Sequence, residues 1–464
     1  MTELPDRVVG DARTSDFGWN LLTDLTDVGN RMAGSTGERR GAERVVEAFE
    51  AAGLRNAGLD EFEIPGWWRG ESSLSVSGAV ERRHENSHEV IALPGTPSGE
   101  VTAPLVDVGD GTDEEFAAAE GDLDGAVAMA SSRTPESHDR WIHRMEKYVA
   151  AAERGAVGFV FRNHIEGALP PTGEIGYHNR PGPIPAVGVS KEVGDRLARL
   201  AEAAESDDQE GDGGPGTPER PTVSLDVDCR NEPTTSVNAV AEVGPDTEEA
   251  VYLTAHVDAH DVSDGANDNG AGSALVAEVG RLLAAVEGDL DTRVRLVTFG
   301  SEEIGLWGAY HAAETTPREE IACVVNLDGA CSSRNLRVGT NGFDGMRETF
   351  EAVADAFDAP LATGETISPH GDQWAFVQEG IPAVMTSTTS DQSGRGWGHT
   401  HADTLDKLDS RDLREVATLV TAAVYRFATG EVGATHRSRE SIRDAIDEGY
   451  VEELKTGGRW PYDE

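Results

Sequence analysis

Apolar residues recur along the chain with two different spacings. From Ser236 onward, short apolar runs (VNAVAEV, VYLTAHVD, TRVRLVTFG, IACVVNLD, IPAVMTS) have the length and β-branched content of strands. Between them the spacing becomes helical. In GSALVAEVGRLLAAVE, Leu275, Val279, Leu282, Leu283 and Val286 fall at helical spacing, and over roughly 411–429 Leu413, Val416, Leu419, Val420 and Val424 share one side. Strand and helix in alternation predict an α/β fold, a mostly parallel mixed sheet sandwiched by helices.

The first half is patterned differently. Ser35 and Glu38 are spaced as a capping box ahead of the helical stretch ERRGAERVVEAFEAAGL, which closes at Gly53. A strand-like EFEIPGWW follows. From about Val101 come short strands (APLVDVG, GAVAMA), a helix around 145–154, the strand GAVGFVF, and then GPIPAVGVSKEVGDRLARL, read as strand into helix. The charged Gly/Pro run ESDDQEGDGGPGTPERP has no periodicity and is expected to be a solvated loop near 205–221. These changes of texture predict a smaller, β-rich domain at 95–230, inserted into a main domain made of 1–94 and 231–464.

Composition narrows the setting. The 464 residues carry 85 acidic against 39 basic side chains, a net charge of −46, and only four of the basic residues are lysine (Lys147, Lys191, Lys407, Lys455). Such a chain repels phosphate backbones and anionic lipid, so neither nucleic acid nor membrane is expected as a partner. The charge runs along the whole sequence and not in a tail. This pattern suits a protein working in concentrated salt, where screening acts over ~3 Å. Three cysteines (Cys229, Cys323, Cys331) make neither a disulfide framework nor a thiolate site. Without an apolar leader or a membrane-length run, the expected location is a high-salt cytoplasm.

Ligands of open α/β sheets bind beyond the carboxyl ends of the strands. There the sequence sets His256 and Asp258 after VYLTA, Glu302 and Glu303 after TRVRLVTFG, and Asp328 after IACVVNL. Asp268 stands in GANDNGAG before a helix, and GHTHADTLDKLD offers His399 and His401. Two histidines and three carboxylates can serve two metal ions if one carboxylate bridges them. The mixed nitrogen and oxygen set suits zinc, with cobalt or manganese as alternatives. Such a pair polarises a carbonyl and acidifies the water between the ions. A further carboxylate is then needed to move the proton.

In that order, HVD, GANDNGAG, SEEIGLWGAYHAA, VVNLDG and GHTHADTLDKL resemble the M28 family of di-zinc metallopeptidases. The middle segment, with GAVGFVF and IPAVGVSKEVGDRL, resembles a protease-associated (PA) domain. IPGWWRGESS, TGEIGYHNRPGPIPAVGVS and the HTHADT loop are similar to the carboxypeptidase Q branch. The resemblance implies a zinc exopeptidase fold with two Zn2+ per chain. His256 and Asp328 would hold one ion, Glu303 and His399 the other, with Asp268 as bridge. It implies Glu302 as the general base acting on a metal-bridging hydroxide, and Asp258 as the residue orienting the His256 ring. The implied activity is hydrolysis of a terminal peptide bond, as aminopeptidase, carboxypeptidase or dipeptidase. The substrate partner is then a peptide or dipeptide, with a homodimer an open alternative.

The chain departs from many members of the family by having Gly398 where they carry a tyrosine before the last histidine. His401 is one substitute for it. His370, Asp372 and Trp374, in HGDQWAFVQEGIPAV, are expected to line the substrate pocket. His260, His311 and His164 lack a surrounding constellation and are expected at the surface, and Asp261 in solvent. Two other readings compete: a non-catalytic binding scaffold of the same fold, and a metal-dependent hydrolase or acyl transferase acting on non-peptide amides.

Overall fold

The strand Ala250–His256 is buried along its whole length and lies parallel to a neighbour on each side, Arg293–Phe299 and Ile321–Leu327. Strands covered on both faces have no polar face to present, which is why they read as unbroken apolar runs. Ala383–Thr388 extends the sheet in parallel beyond Ile321–Leu327, and Leu336–Gly339 then pairs antiparallel. On the other flank Thr222–Val243 pairs antiparallel with Arg293–Phe299. The helices Thr36–Ala51, Ala271–Ala284 and Ser410–Ala428 pack around this mixed sheet and share its core. The computed structural model describes residues 3–462 apart from 79, 179, 210–219, 391–396 and 431–434.

Two long strands carry the insertion. Arg55–Ser77 pairs antiparallel with Thr222–Val243 along most of its length. The outer part of Thr222–Val243 also pairs with Gly99–Asp107. From there Val127–Ser131, Gly158–Arg162 and Ala186–Val189 follow in parallel, closed by the antiparallel Val90–Ala92. The sequence shows only a short strand at EFEIPGWW because Pro65, Gly66 and Pro233 look like breaks. In register, however, Pro65 faces Pro233, so the positions without an N–H donor coincide and the ribbon continues. The helix Lys191–Gln209 reaches into the segment expected to be loop, and 210–219 lie outside the described residues.

The helix Thr36–Ala51 shows why the expected capping box is only half formed. Ser35 Oγ accepts the Glu38 N–H at 3.1 Å. The Glu38 carboxylate does not return to Ser35. It accepts from Gly34 N, Ser236 Oγ and Ser301 N at 2.8, 2.9 and 2.9 Å, tying the helix to the loop that follows Arg293–Phe299. Among the described residues no helix is long and apolar enough to cross a membrane.

Candidate metal centre

Three adjacent strands deliver their chemistry to one rim. His256 ends the first; Gly300–Glu303 follows the second; Asp328 follows the third. The GANDNGAG segment folds between Gly265, whose φ of +58° lies in the left-handed region, and the helix Ala271–Ala284. There a Cβ at position 265 would strike Ala259, so glycine is required.

Asp268 lies between two histidines. Its Oδ1 is 3.4 Å from His256 Nε2 and its Oδ2 is 3.3 Å from His399 Nε2. Around His256 Nε2 stand Asp328 Oδ1 at 3.7 Å and Glu302 Oε2 at 3.9 Å. On the far side His399 Nε2 and His260 Nε2 approach Glu303 Oε2 at 3.3 and 2.9 Å. His256, Glu302 and Asp328 form one group able to hold an ion, and His260, Glu303 and His399 another. Among the described residues the buried His256 Nε2 has no hydrogen-bond partner, although carboxylate oxygens surround it. Separations of this size between donors fit ligands that share an ion at ~2.0–2.2 Å.

Buried backbone and carboxylate contacts hold this arrangement. Asp258 accepts the N–H groups of both Glu302 and Glu303, at 3.1 and 3.2 Å. His256 Nδ1 faces the Asp258 carbonyl at 3.1 Å and its carboxylate at 3.4 Å, so the Asp258 side chain chiefly fixes the glutamate pair. Asp403 accepts from Asn267 N and Asp268 N at 2.9 and 3.0 Å. Asn269 donates to the Leu327 carbonyl at 2.8 Å. The buried Arg31 guanidinium binds the carbonyls of Leu25, Val257, Asp264 and Gly265 at 2.7–2.9 Å. Burial lowers its pKa to about 10, with Asp403 and Asp258 opposing.

The cluster is short of positive charge. Burial pushes the Glu302 pKa up to about 8 against the pull of His256. Burial and then the Asp268 charge hold Glu303 well above the usual carboxylate range. Burial would lower the His256 pKa, but Glu302, Asp258, Asp268 and Asp328 together raise it well above its ordinary value. For Asp268 burial acts upward, yet His256 and His399 keep it well below. Buried carboxylates at this density need cations among them to remain ionised. The donor set fits divalent ions.

Residues 238–424 match the model of peptidase family M28, and 101–197 match the PA domain. The chain is 27% identical over 430 residues to aminopeptidase YwaD of Bacillus subtilis, covering 89% of this chain and 85% of that protein. It is 26% identical over 421 residues to carboxypeptidase Q of Bos taurus, covering 88% and 84%. The structure of BSAP, a zinc aminopeptidase from Bacillus subtilis, superposes with a TM-score of 0.68 at 25% identity, covering 96% of this chain and 99% of that one. The chain is a metallo-exopeptidase similar to the M28 family, with a PA-type insertion. An M28 precursor from Shewanella amazonensis shares the fold with a TM-score of 0.74 at 24% identity, covering 93% and 97%.

Within this peptidase the remaining expected site residues go different ways. His370 lines the cavity beside the cluster. Trp374 does not: it is 1% exposed and packs in the core with Ala375 and Phe376, because the short helix Trp374–Val377 turns that side inward. Asp372 is also buried, and neither of its carboxylate oxygens has a hydrogen-bond partner among the described residues. Burial first and the Glu302 charge second hold its pKa well above normal. His401 bonds the Ser87 carbonyl at 2.8 Å and packs at a tilt against the His88 ring, outside the cavity lining.

Two residues expected in solvent are structural parts of the site. His260 is 3% exposed and packs edge-on against the His399 ring. Asp261 receives two nitrogens of Arg69 at 2.7–3.0 Å, and Arg69 also donates to Thr172 Oγ1 at 3.1 Å. The HVDAHD spacing, with His260 and Asp261 directly beyond the strand end, was the available signal. His311 and His164 are half-buried, the first paired with Asp60 and the second with Ser132.

Proposed function

We propose that the protein is a zinc-dependent exopeptidase that hydrolyses the terminal bond of peptides or dipeptides, with Glu302 as the proton-transfer residue. His256 and Asp328 would hold one ion, Glu303 and His399 the second, with Asp268 between them. The observation that carries this reading is Asp268 itself, whose two oxygens face His256 and His399 separately at 3.4 and 3.3 Å. When bound, a zinc pair supplies Lewis acidity at the scissile carbonyl and lowers the pKa of water.

The chain's own residues supply the rest. Glu302 lines the cavity without being needed as a ligand, and its Oε2 is 3.9 Å from His256 Nε2. Its carboxylate accepts the proton of the attacking water and returns it to the departing nitrogen. Asp258 keeps Glu302 and Glu303 on their separate tasks by gripping both backbone N–H groups. Glu302→Gln should lower kcat by about 10²–10⁴-fold on a dipeptide panel while elemental analysis still finds about two zinc ions per chain. Turnover at the wild-type rate in that variant would overturn the assignment, and activity resistant to chelators would overturn the zinc reading.

A further inference from the structure

Residues 300–308 carry Glu302 from the strand Arg293–Phe299 into the helix Trp307–Thr315. The first four backbone N–H groups of this loop are all taken by buried side chains. Gly300 N donates to Asn238 Oδ1 at 3.0 Å and Ser301 N to Glu38 Oε1 at 2.9 Å. Glu302 N and Glu303 N donate to the two oxygens of Asp258 at 3.1 and 3.2 Å. The acceptors come from three separate places: the strand Thr222–Val243, the helix Thr36–Ala51 and the turn after Ala250–His256. The loop also closes on itself, since Gly308 N donates to the Gly300 carbonyl and Trp307 N to that of Ser301, at 3.0 and 3.1 Å. Its backbone is set from outside and leaves the Glu302 side chain at the cavity.

Glu38 holds the residue that most needs holding. Ser301 is buried, and its φ of +58° lies in the left-handed region, which a residue with a Cβ adopts only under constraint. Glu38 Oε1 accepts the Ser301 N–H, the Ser301 hydroxyl at 3.1 Å and the Ser236 hydroxyl at 2.9 Å, while Oε2 accepts Gly34 N at 2.8 Å. A Cβ at position 300 would lie 2.9 Å from Glu38 Oε1 and 2.4 Å from Ser236 Oγ, so glycine there lets the carboxylate reach the loop. Released from Glu38, Ser301 would relax toward negative φ, and that rotation swings the next residue, Glu302. Glu38 itself stands outside residues 238–424, and none of these partners is a proposed metal ligand.

We propose that Glu38 is a positioning residue for hydrolysis: by keeping Ser301 left-handed it aims the Glu302 carboxylate into the cavity, which rests on the reading of Glu302 as the proton-transfer residue. Displacing a reacting group by about 1 Å costs on the order of 10²-fold in rate. Glu38 acts through Glu302 and does not meet the substrate, so the loss falls on kcat and spares KM.

The test reads the loop by amide hydrogen exchange of the zinc-loaded full chain, and the consequence by kinetics on the best substrate of a dipeptide panel. In Glu38→Ala, residues 300–308 should exchange about 10-fold faster while Ala271–Ala284 keeps its wild-type rate. Its kcat should fall about 10–100-fold with KM within about 2-fold. Glu38→Gln keeps an acceptor for Ser301 and sets its NH2 against Gly34 N, so it should unfold at lower urea yet hold kcat within about 3-fold. In a Glu302→Gln background, Glu38→Ala should lower kcat no further. An added 10-fold loss there, level exchange over 300–308, or a rise in KM at constant kcat overturns the proposal. Wild-type turnover in Glu302→Gln alone refutes the proton-transfer reading instead; faster exchange in Glu38→Ala then still sustains the grip on the loop. Glu38→Asp, one methylene short of Ser301, replaces Glu38→Ala if the latter does not fold, with the same outcomes deciding. In the wild type, 300–308 should exchange as slowly as Arg293–Phe299, and exchange at the rate of an open loop overturns the proposal even if neither variant folds.

Discussion

Thr172 and His399 are joined twice: the Thr172 N–H donates to the His399 carbonyl at 2.9 Å, and His399 Nδ1 faces the Thr172 carbonyl at 3.2 Å. The insertion thus fixes the tautomer of a proposed ligand in the peptidase half, directing Nε2 at Asp268 and Glu303. Arg69, held by Asp261, steadies Thr172 from behind. Gly173→Val should disturb this joint, because a side chain there strikes Arg144 and φ is +129°. We expect zinc affinity to fall about 10–100-fold, read by competition with a chelating dye. Unchanged affinity would mean that the insertion does not hold the ring.

Asp403 does similar work from the other side. Its two oxygens each accept one N–H, from Asn267 and Asp268, and burial raises its pKa to about 7. Asp403→Asn keeps the shape but turns an amide NH2 toward one of those donors. Leaving a buried donor unmatched costs about 1–3 kcal/mol. Urea unfolding should register that loss and elemental analysis a fall in bound zinc; wild-type values for both would show that Asp268 is positioned without Asp403.

Much of the fold was legible because parallel strands buried on both faces and amphipathic helices announce themselves within ten or twenty residues. The meeting of His256, Glu302 and Asp328 followed from the same logic, since each stands directly after a strand and the strands are neighbours. What stayed hidden depends on distant partners. Asp261 looks solvated until Arg69 arrives from the long ribbon strand, and His260 looks incidental until His399 closes over it. Arg31 carries no motif, because its partners are backbone carbonyls that any sequence would supply. Trp374 misled for the opposite reason: its neighbours in sequence touch the site, but a helical turn sends it into the core.

The charge balance sets a salt dependence. With 85 acids and 39 bases, more than half of the acids cannot be paired even if every base is used. Salt weakens exposed ion pairs, each worth little, and it also weakens the repulsion among the unmatched acids, which are more numerous. The second effect should win. Lowering KCl from about 3 M to about 0.1 M should depress the thermal midpoint steadily, since the screening length more than triples. A flat midpoint across that range would reject the high-salt reading.

Lys147 offers a pH test away from the metal centre. Its side chain is 1% exposed, and Nζ donates to the carbonyls of Ser131 and Arg133, both at 2.8 Å. Burial lowers its pKa from 10.5 to about 8, although Asp110, Glu115 and Glu146 act in the opposite direction. Between those values the unfolded chain holds a proton that the folded chain has released, so stability rises with pH. Below pH 8 both states are protonated and the burial cost is constant. Compared with Lys147→Met, the wild type should therefore gain about 2–3 kcal/mol in urea unfolding free energy between pH 8 and pH 10.5, and nothing below pH 8. A difference that stays level up to pH 10.5 would mean the ammonium remains charged inside the fold, with the two carbonyls and three carboxylates outweighing its lost hydration.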